Sequence, residues 1–305
     1  MVDVKEIKSI DLVSFTMMSS SVNAILALIG AIILLIFFGA FAAFIPAAGL
    51  VFASLGISMI ILYPILTFLV EITISFVTAL IYNMLVPRLG GVKLGIDGNE
   101  VRSVPVVPFA LILSVVEAIW AFIFGLVLAA LLVPLTTLTS TLIPLIANVA
   151  ANATNMTPAT LPTGSAVGTG GVVLALILII ALPILVFIFG FIGHALAAIF
   201  YNFIIPRVGG VKLLFTPAGA LHEISSIPVV AASLAIASVA LIFGLIRGIL
   251  QLITMAASGD AVGGIVALIA SIIVYFIGAF IMVALITIIY NFLAPRIGGV
   301  QLGLE

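Results

Sequence analysis

One stretch of this chain is written three times: YNMLVPRLGGVKL from Tyr82, YNFIIPRVGGVKL from Tyr201 and YNFLAPRIGGVQL from Tyr290, each directly behind a long apolar run. Three copies of one corner require a fold that uses that corner three times. The apolar runs set the solvent. They cover roughly 16 to 45, 50 to 84, 105 to 134, 171 to 203, 228 to 257 and 263 to 293, and each exceeds the ~20 residues a helix needs to cross a bilayer. With 65% hydrophobic and only 6% charged residues, far from the roughly 25% charge of soluble domains, lipid is the medium for most of this chain. The fold class expected is an all-α polytopic membrane protein of six transmembrane helices, arranged as three helical hairpins around a pseudo-threefold axis with short cytoplasmic β-strands and hairpins.

Charge sets the orientation. Lys5, Lys8, Arg88, Lys93, Arg102, Arg207, Lys212 and Arg296 all fall on one side of the predicted spans, and only Arg247 does not. By the positive-inside tendency that side is cytoplasmic. Both termini are then expected inside the cell membrane, with the segments around 46 to 49, 135 to 170 and 258 to 262 outside. The opening MVDVKEIKSIDLVSF lacks the basic, apolar and small-residue succession of a cleaved signal. Met1 is therefore read as the start and the first span as its own insertion signal. A PAAG turn is expected from Pro46 to Gly49, and Pro64 should kink the second span.

The units also open alike, with EIKSID from Glu6, EVRSVP from Glu100 and EISSIP from Glu223. Three repeats follow: 1–96, 97–217 and 218–305, the middle one enlarged by an outer-loop insertion at about 135–170. Asn152 and Asn155 each begin an Asn-X-Thr tripeptide in that insertion and are candidate glycosylation acceptors.

Each residue type of the recurring tail suits a membrane boundary. Tyr82, Tyr201 and Tyr290 place a ring in lipid and a hydroxyl in water; Asn83, Asn202 and Asn291 follow them. Pro87, Pro206 and Pro295 push the preceding residue out of helical geometry and should end the span. Arg88, Arg207 and Arg296 are expected to reach lipid phosphate or an acidic neighbour such as the opening Glu. The pairs Gly90-Gly91, Gly209-Gly210 and Gly298-Gly299 permit a sharp turn. After them, apolar and polar residues alternate as in a strand. The openings alternate too, and DGN or TPAG separates a tail from the next opening, a hairpin signal. Two pairings fit: first and last strands closing a ring of ribbons, or head and tail pairing within each unit.

A unit with an alternating opening, two spans, a Tyr-Asn ending and Gly-Gly-Val before an alternating tail resembles a family of short prokaryotic two-span membrane proteins of uncharacterised function. The likeness spans all three units and rests on about a dozen tail residues, among them Tyr82, Asn83, Gly90 and Gly91. The Pro-Arg pair and the fusion of three copies depart from the family's single-unit pattern. What the resemblance implies is the fold and a trimeric arrangement, and no chemistry.

Ionisable groups within lipid are costly unless sheltered. Glu71 stands 11 residues before Tyr82 and Glu117 stands 12 after Pro105, both near mid-bilayer. Asn23 occupies the place of Glu117 in the first unit, and one face of the second helix carries Glu71, Ser75, Thr78 and Tyr82 where the next unit has Gly190, His194, Ala197 and Tyr201. Asn23, Glu71, Glu117 and His194 are accordingly the candidate intramembrane polar site, read either as a pocket for protons, an ion or a polar ligand, or as hydrogen-bonded glue between helices. Arg247, 19 residues past Pro228, is expected to snorkel to the outer interface, the alternative being a pairing with Glu71 or Glu117. His222 is expected at the solvated surface.

No nucleophile-and-base spacing, phosphate loop or metal-ligand cluster stands out, so no catalytic residue, cofactor or metal is assigned. Nucleic acid is excluded as a partner, because the scattered basic residues sit at headgroup level. The reading preferred is a non-enzymatic scaffold or accessory subunit whose partners are membrane lipids and other membrane-protein subunits. The alternative is an ion or small-solute channel or transporter with its polar site near Glu71 and Glu117.

Overall fold

The computed structural model describes residues 3–44, 49–154 and 164–305. In chain order these form β1 (Asp3–Ile10), α1 (Leu12–Phe44), α2 (Gly49–Leu89), β2 (Lys93–Asp97), β3 (Glu100–Ser103), α3 (Val106–Thr154), α4 (Gly164–Leu176), a π-helical turn (Ile177–Ala181), α5 (Leu182–Val208), β4 (Leu214–Ala218), β5 (Leu221–Ser226), α6 (Val229–Ala257), α7 (Ala261–Ile297) and β6 (Gln301–Leu304). Among the described residues, six stretches are long and apolar enough to cross a membrane: Leu12–Ala40, Ser58–Leu89, Val106–Leu135, Gly170–Val208, Val229–Ala257 and Ala261–Ile297. They coincide closely with the six runs expected. The loop expected at about 135 to 170 is in large part helix, because α3 runs on to Thr154 and α4 starts at Gly164; its Ala-, Leu- and Thr-rich sequence contains no glycine before Gly164 to end the helix. Asn152 lies in the last turn of α3, whereas Asn155 and most of the PAAG turn fall outside the described residues.

Helices in lipid gain no hydrophobic drive from each other and associate through close packing and polar contacts. Here they pair antiparallel, α1 along α2 and α6 along α7. Small residues let the backbones approach. A Cβ on Gly244 or Gly248 of α6 would come within 2.8 Å of Ser271 O or of Leu268 Cα on α7. The first helix of each unit buries a recurrent set of positions, counted from Asp11, Pro105 and Pro228: Thr16, Ala110 and Ser233; Ser20, Ser114 and Ala237; Val22, Val116 and Val239. Small or β-branched residues occupy every one. Helices of neighbouring sequence repeats also meet. Tyr201, Ile205 and Ala198 of α5 pack with Ala235 and Val239 of α6, and Tyr290, Leu293 and Ala294 of α7 pack with Met18 and Val22 of α1.

The strands form one six-stranded antiparallel sheet in the order β3-β2-β1-β6-β5-β4. Its two edges also meet: Glu100 bridges Lys212, Val101 N–H donates to Val211 O at 2.8 Å and Leu213 N–H to Asn99 O at 2.8 Å. The sheet therefore closes on itself. Both pairings left open by the sequence occur together, with first-to-last pairing of β1 and β6 alternating with head-to-tail pairing within a unit, as in β1 with β2 and β5 with β6. Closure removes the unpaired edges that an open sheet would expose.

By compactness the chain divides into one unit of residues 1–112 with 195–305, which holds all six strands, and a second of residues 113–194.

Candidate functional site

The recurring residues build the same knot three times, and it starts from the end of a helix. Pro87, Pro206 and Pro295 do not terminate their helices as expected; α2, α5 and α7 each continue two residues further. Proline in the last turn costs only the bond to the carbonyl four residues back, near a terminus where carbonyls lack partners anyway. The stop is glycine. Gly90, Gly209 and Gly298 take φ of 81°, 86° and 84° and return their N–H to Val86, Ile205 and Ala294 at 2.9, 3.0 and 3.0 Å, a glycine cap at positive φ.

The second glycine then meets the opening Glu. Gly91, Gly210 and Gly299 donate N–H to a carboxylate oxygen of Glu6, Glu100 and Glu223 at 2.7, 2.6 and 2.6 Å. The tyrosine hydroxyl lies between head and tail. Tyr82, Tyr201 and Tyr290 donate to the carbonyls of Ile7, Val101 and Ile224 at 2.7, 2.6 and 2.6 Å. The same hydroxyls accept from Val92, Val211 and Val300 N–H at 2.9, 3.0 and 3.0 Å. Asn83, Asn202 and Asn291 complete the knot by clasping a single residue's backbone: each side-chain oxygen accepts from, and each amide nitrogen donates to, Ile10, Val104 and Ile227 respectively. Apart from the valine N–H bonds, which stay within the tail, all of them run between the head and tail of the same sequence repeat.

The arginines do not reach the opening Glu. Arg207 and Arg296 fold back over Phe203 and Phe292, with the guanidinium carbon 4.4 and 3.7 Å from the ring centroids, and hydrogen-bond those residues' carbonyls. The cations near the carboxylates are others. Lys8 and Lys93 lie 3.3 and 3.8 Å from Glu6, and Arg102 lies 3.3 Å from Glu100. The Gly91 N–H, more than the two lysines, holds the Glu6 carboxyl below its ordinary range against the opposing effect of burial. His222, expected at the surface, is half-buried in β5, and its Nδ1 is covered without a partner.

The four intramembrane polar residues form two pairs. Glu71 accepts from Asn23 Nδ2 and Ser19 Oγ, both at 3.0 Å, while Ser75 Oγ bonds the Glu71 carbonyl. Glu117 Oε1 lies 2.8 Å from His194 Nε2, within the unit of residues 113–194. The pairs are one idea inverted. Counted along the repeats, Asn23 corresponds to Glu117 and Glu71 to Gly190, so the acid sits on the second helix in one copy and on the first helix in the next. Gly190 makes the inversion possible, since a Cβ there would stand 2.6 Å from Glu117 Oε2. The third copy has Ala240 and Ala279 at these places.

The role of the opening Glu in holding a glycine N–H was not read from sequence, although its recurrence was visible. The buried small-residue positions of the first helix, such as Ser20 and Ser114, were missed as well; aligning the copies from Asp11 and Pro105 reveals them.

Six apolar helices of spanning length define an integral membrane protein, with lipid as the surface its outward side chains meet. No protein-family model matches the chain, and neither the curated proteins nor the solved structures contain a match to it.

Proposed function

We propose that this chain is a non-enzymatic membrane scaffold or accessory subunit: three helical hairpins about a pseudo-threefold axis, fused forms of the two-span unit it resembles, presenting a cytoplasmic strand ring to other membrane-protein subunits in the cell membrane. One observation carries the reading. The Tyr, Asn and opening Glu of all three copies are spent in bonds that tie head to tail, so the residues repeated with most fidelity hold a shape and offer no group to a substrate. The basic residues flanking the ring support a cytoplasmic position for it and for both termini. Extraction in a mild detergent should recover the chain with a partner in fixed stoichiometry. Recovery of the chain alone from its native membrane would remove this reading.

A second reading has its own observation, the acid-centred pairs Glu71–Asn23 and Glu117–His194 in spanning helices, where an ionisable group is expensive and usually functional. It makes the chain a channel or transporter with an off-axis path, since the third copy has alanine at both places. Flux through reconstituted vesicles that disappears in Glu117→Gln is its expected signature; silent vesicles would dismiss it.

A further inference from the structure

Arg247 has no counterpart in the other two copies, where its place is taken by Gly30 and Phe124. It lies on α6 18 residues beyond Val229, about 27 Å along the helix from the strand ring, and so close to the far face of a hydrocarbon layer about 30 Å thick. Neither Glu71 nor Glu117 pairs with it, and among the described residues no carboxylate lies within ion-pairing distance. Its recorded partner is the Tyr275 hydroxyl on α7 at 3.4 Å, with the guanidinium carbon 6.0 Å from that ring's centroid.

Around it the α6–α7 hairpin opens a cavity of about 360 Å³ bordered by Arg247, Gln251, Ser271, Tyr275, Ala270 and Val274. Ser271 Oγ donates to Gln251 Oε1 at 2.7 Å, which leaves the Gln251 amide nitrogen as a donor. The border thus gathers donors, guanidinium, amide and phenol, with a positive charge that no protein group neutralises. At this level the exposed guanidinium can reach the headgroup layer, and an anion with several acceptor oxygens meets it there by charge-assisted hydrogen bonds. Ala270 and Val274 supply an apolar flank on the same cavity, which suits a ligand that carries a hydrocarbon chain beside its charge.

We propose that this cavity binds the phosphate of an anionic phospholipid in the leaflet opposite the strand ring, with Arg247 as the charge partner and Gln251 and Tyr275 as orienting donors. Because α6 and α7 belong to one hairpin, the lipid would brace that hairpin at the end away from its knot. The site is independent of whether the chain serves as scaffold or channel.

The test uses the full chain in detergent, with thermal unfolding read against added phosphatidylglycerol, phosphatidylcholine or inorganic phosphate, and native mass spectrometry counting retained lipid. Phosphatidylglycerol should raise the midpoint of the wild-type chain and remain bound at one copy more than in Arg247→Gln. That variant should fold, because it removes a lone charge, yet require at least tenfold more phosphatidylglycerol for the same shift; Arg247→Lys should recover part of the response. Equal lipid retention and equal shifts in wild type and Arg247→Gln would overturn the site. A shift produced by inorganic phosphate, with none from phosphatidylglycerol, would overturn the lipid as its occupant, and an equal response to phosphatidylcholine would overturn the need for net negative charge.

Discussion

At the corner of each copy one phenolic oxygen serves two backbone groups that have no other use for their valence. Removing the hydroxyl of Tyr201 strands the Val101 carbonyl and the Val211 N–H in a position the side chain itself keeps dry. Tyr201→Phe should destabilise the chain by about 2 kcal/mol, the cost of leaving buried partners unmade. Tyr82→Phe and Tyr290→Phe should lose a similar amount, because their distances match within 0.1 Å. Unfolding titrations in mixed micelles would measure all three; a strongly unequal set would mean the knots do different jobs. Acid should act through the first knot in a definable way. The folded pKa of Glu6 lies below its ordinary 4.5, so the unfolded chain takes up a proton first as pH falls. Glu6 therefore contributes its stability fully above that value and loses it as pH drops below 4.5 through the folded pKa. The unfolding midpoint measured through this acid range should decline less steeply in Glu6→Gln than in the wild type.

Among elements, the two adjacent glycines of a tail are expected to differ sharply although they look equivalent in sequence. Gly209 needs its left-handed φ, but a Cβ there would meet nothing nearer than Glu100 Oε1 at 3.8 Å, so Gly209→Ala should cost about 1 kcal/mol. At Gly210 a Cβ would stand 2.1 Å from Val101 O, the carbonyl that Tyr201 already bonds. Gly210→Ala must push strand from helix and should cost about 3 kcal/mol, as overpacking does, a difference visible in the same titration. The helices themselves were legible, because lipid demands long apolar runs and tolerates little else. Their ends were not. Local sterics make proline look like the stop, whereas the helix ends where the chain first takes φ > 0, at the glycine three residues later. The continuation of α3 to Thr154 is hidden for a related reason: threonine, asparagine and the prolines Pro134 and Pro144 look like loop, yet no glycine stands there to end the helix and it continues through both prolines. Of the intramembrane polar residues, the inversion between Asn23–Glu71 and Glu117–Gly190 was foreshadowed by aligning copies. That Glu117 would take His194 as its partner required knowing which neighbours the fold brings within reach.

For the molecule as a whole, sequence alternation revealed strands and turns but left the ring and the head-to-tail pairing as rivals, since period alone says nothing about which edge a strand finds. They prove to be alternate seams of one closed sheet, and the seam between β1 and β6 is the one that joins the two ends of the chain. This seam decides whether one polypeptide completes its own ring or shares it with another, the route by which swapped oligomers arise. The chain contains no cysteine, which makes the seam directly testable. Ser9 pairs with Gly303 in the register, and a Cβ on Gly303 would lie 3.6 Å from Ser9 Cβ, inside the 3.5–4.5 Å span of disulfides. Ser9→Cys with Gly303→Cys should therefore oxidise within one chain, giving a monomer whose mobility on a denaturing gel changes with reductant and whose unfolding midpoint rises, because a link between residues so far apart removes most of the unfolded chain's freedom. Either cysteine alone should give neither effect. A reductant-sensitive dimer in place of the cross-linked monomer would show that the ring closes between two chains, and the scaffold would then be an assembly whose first and last strands come from different copies.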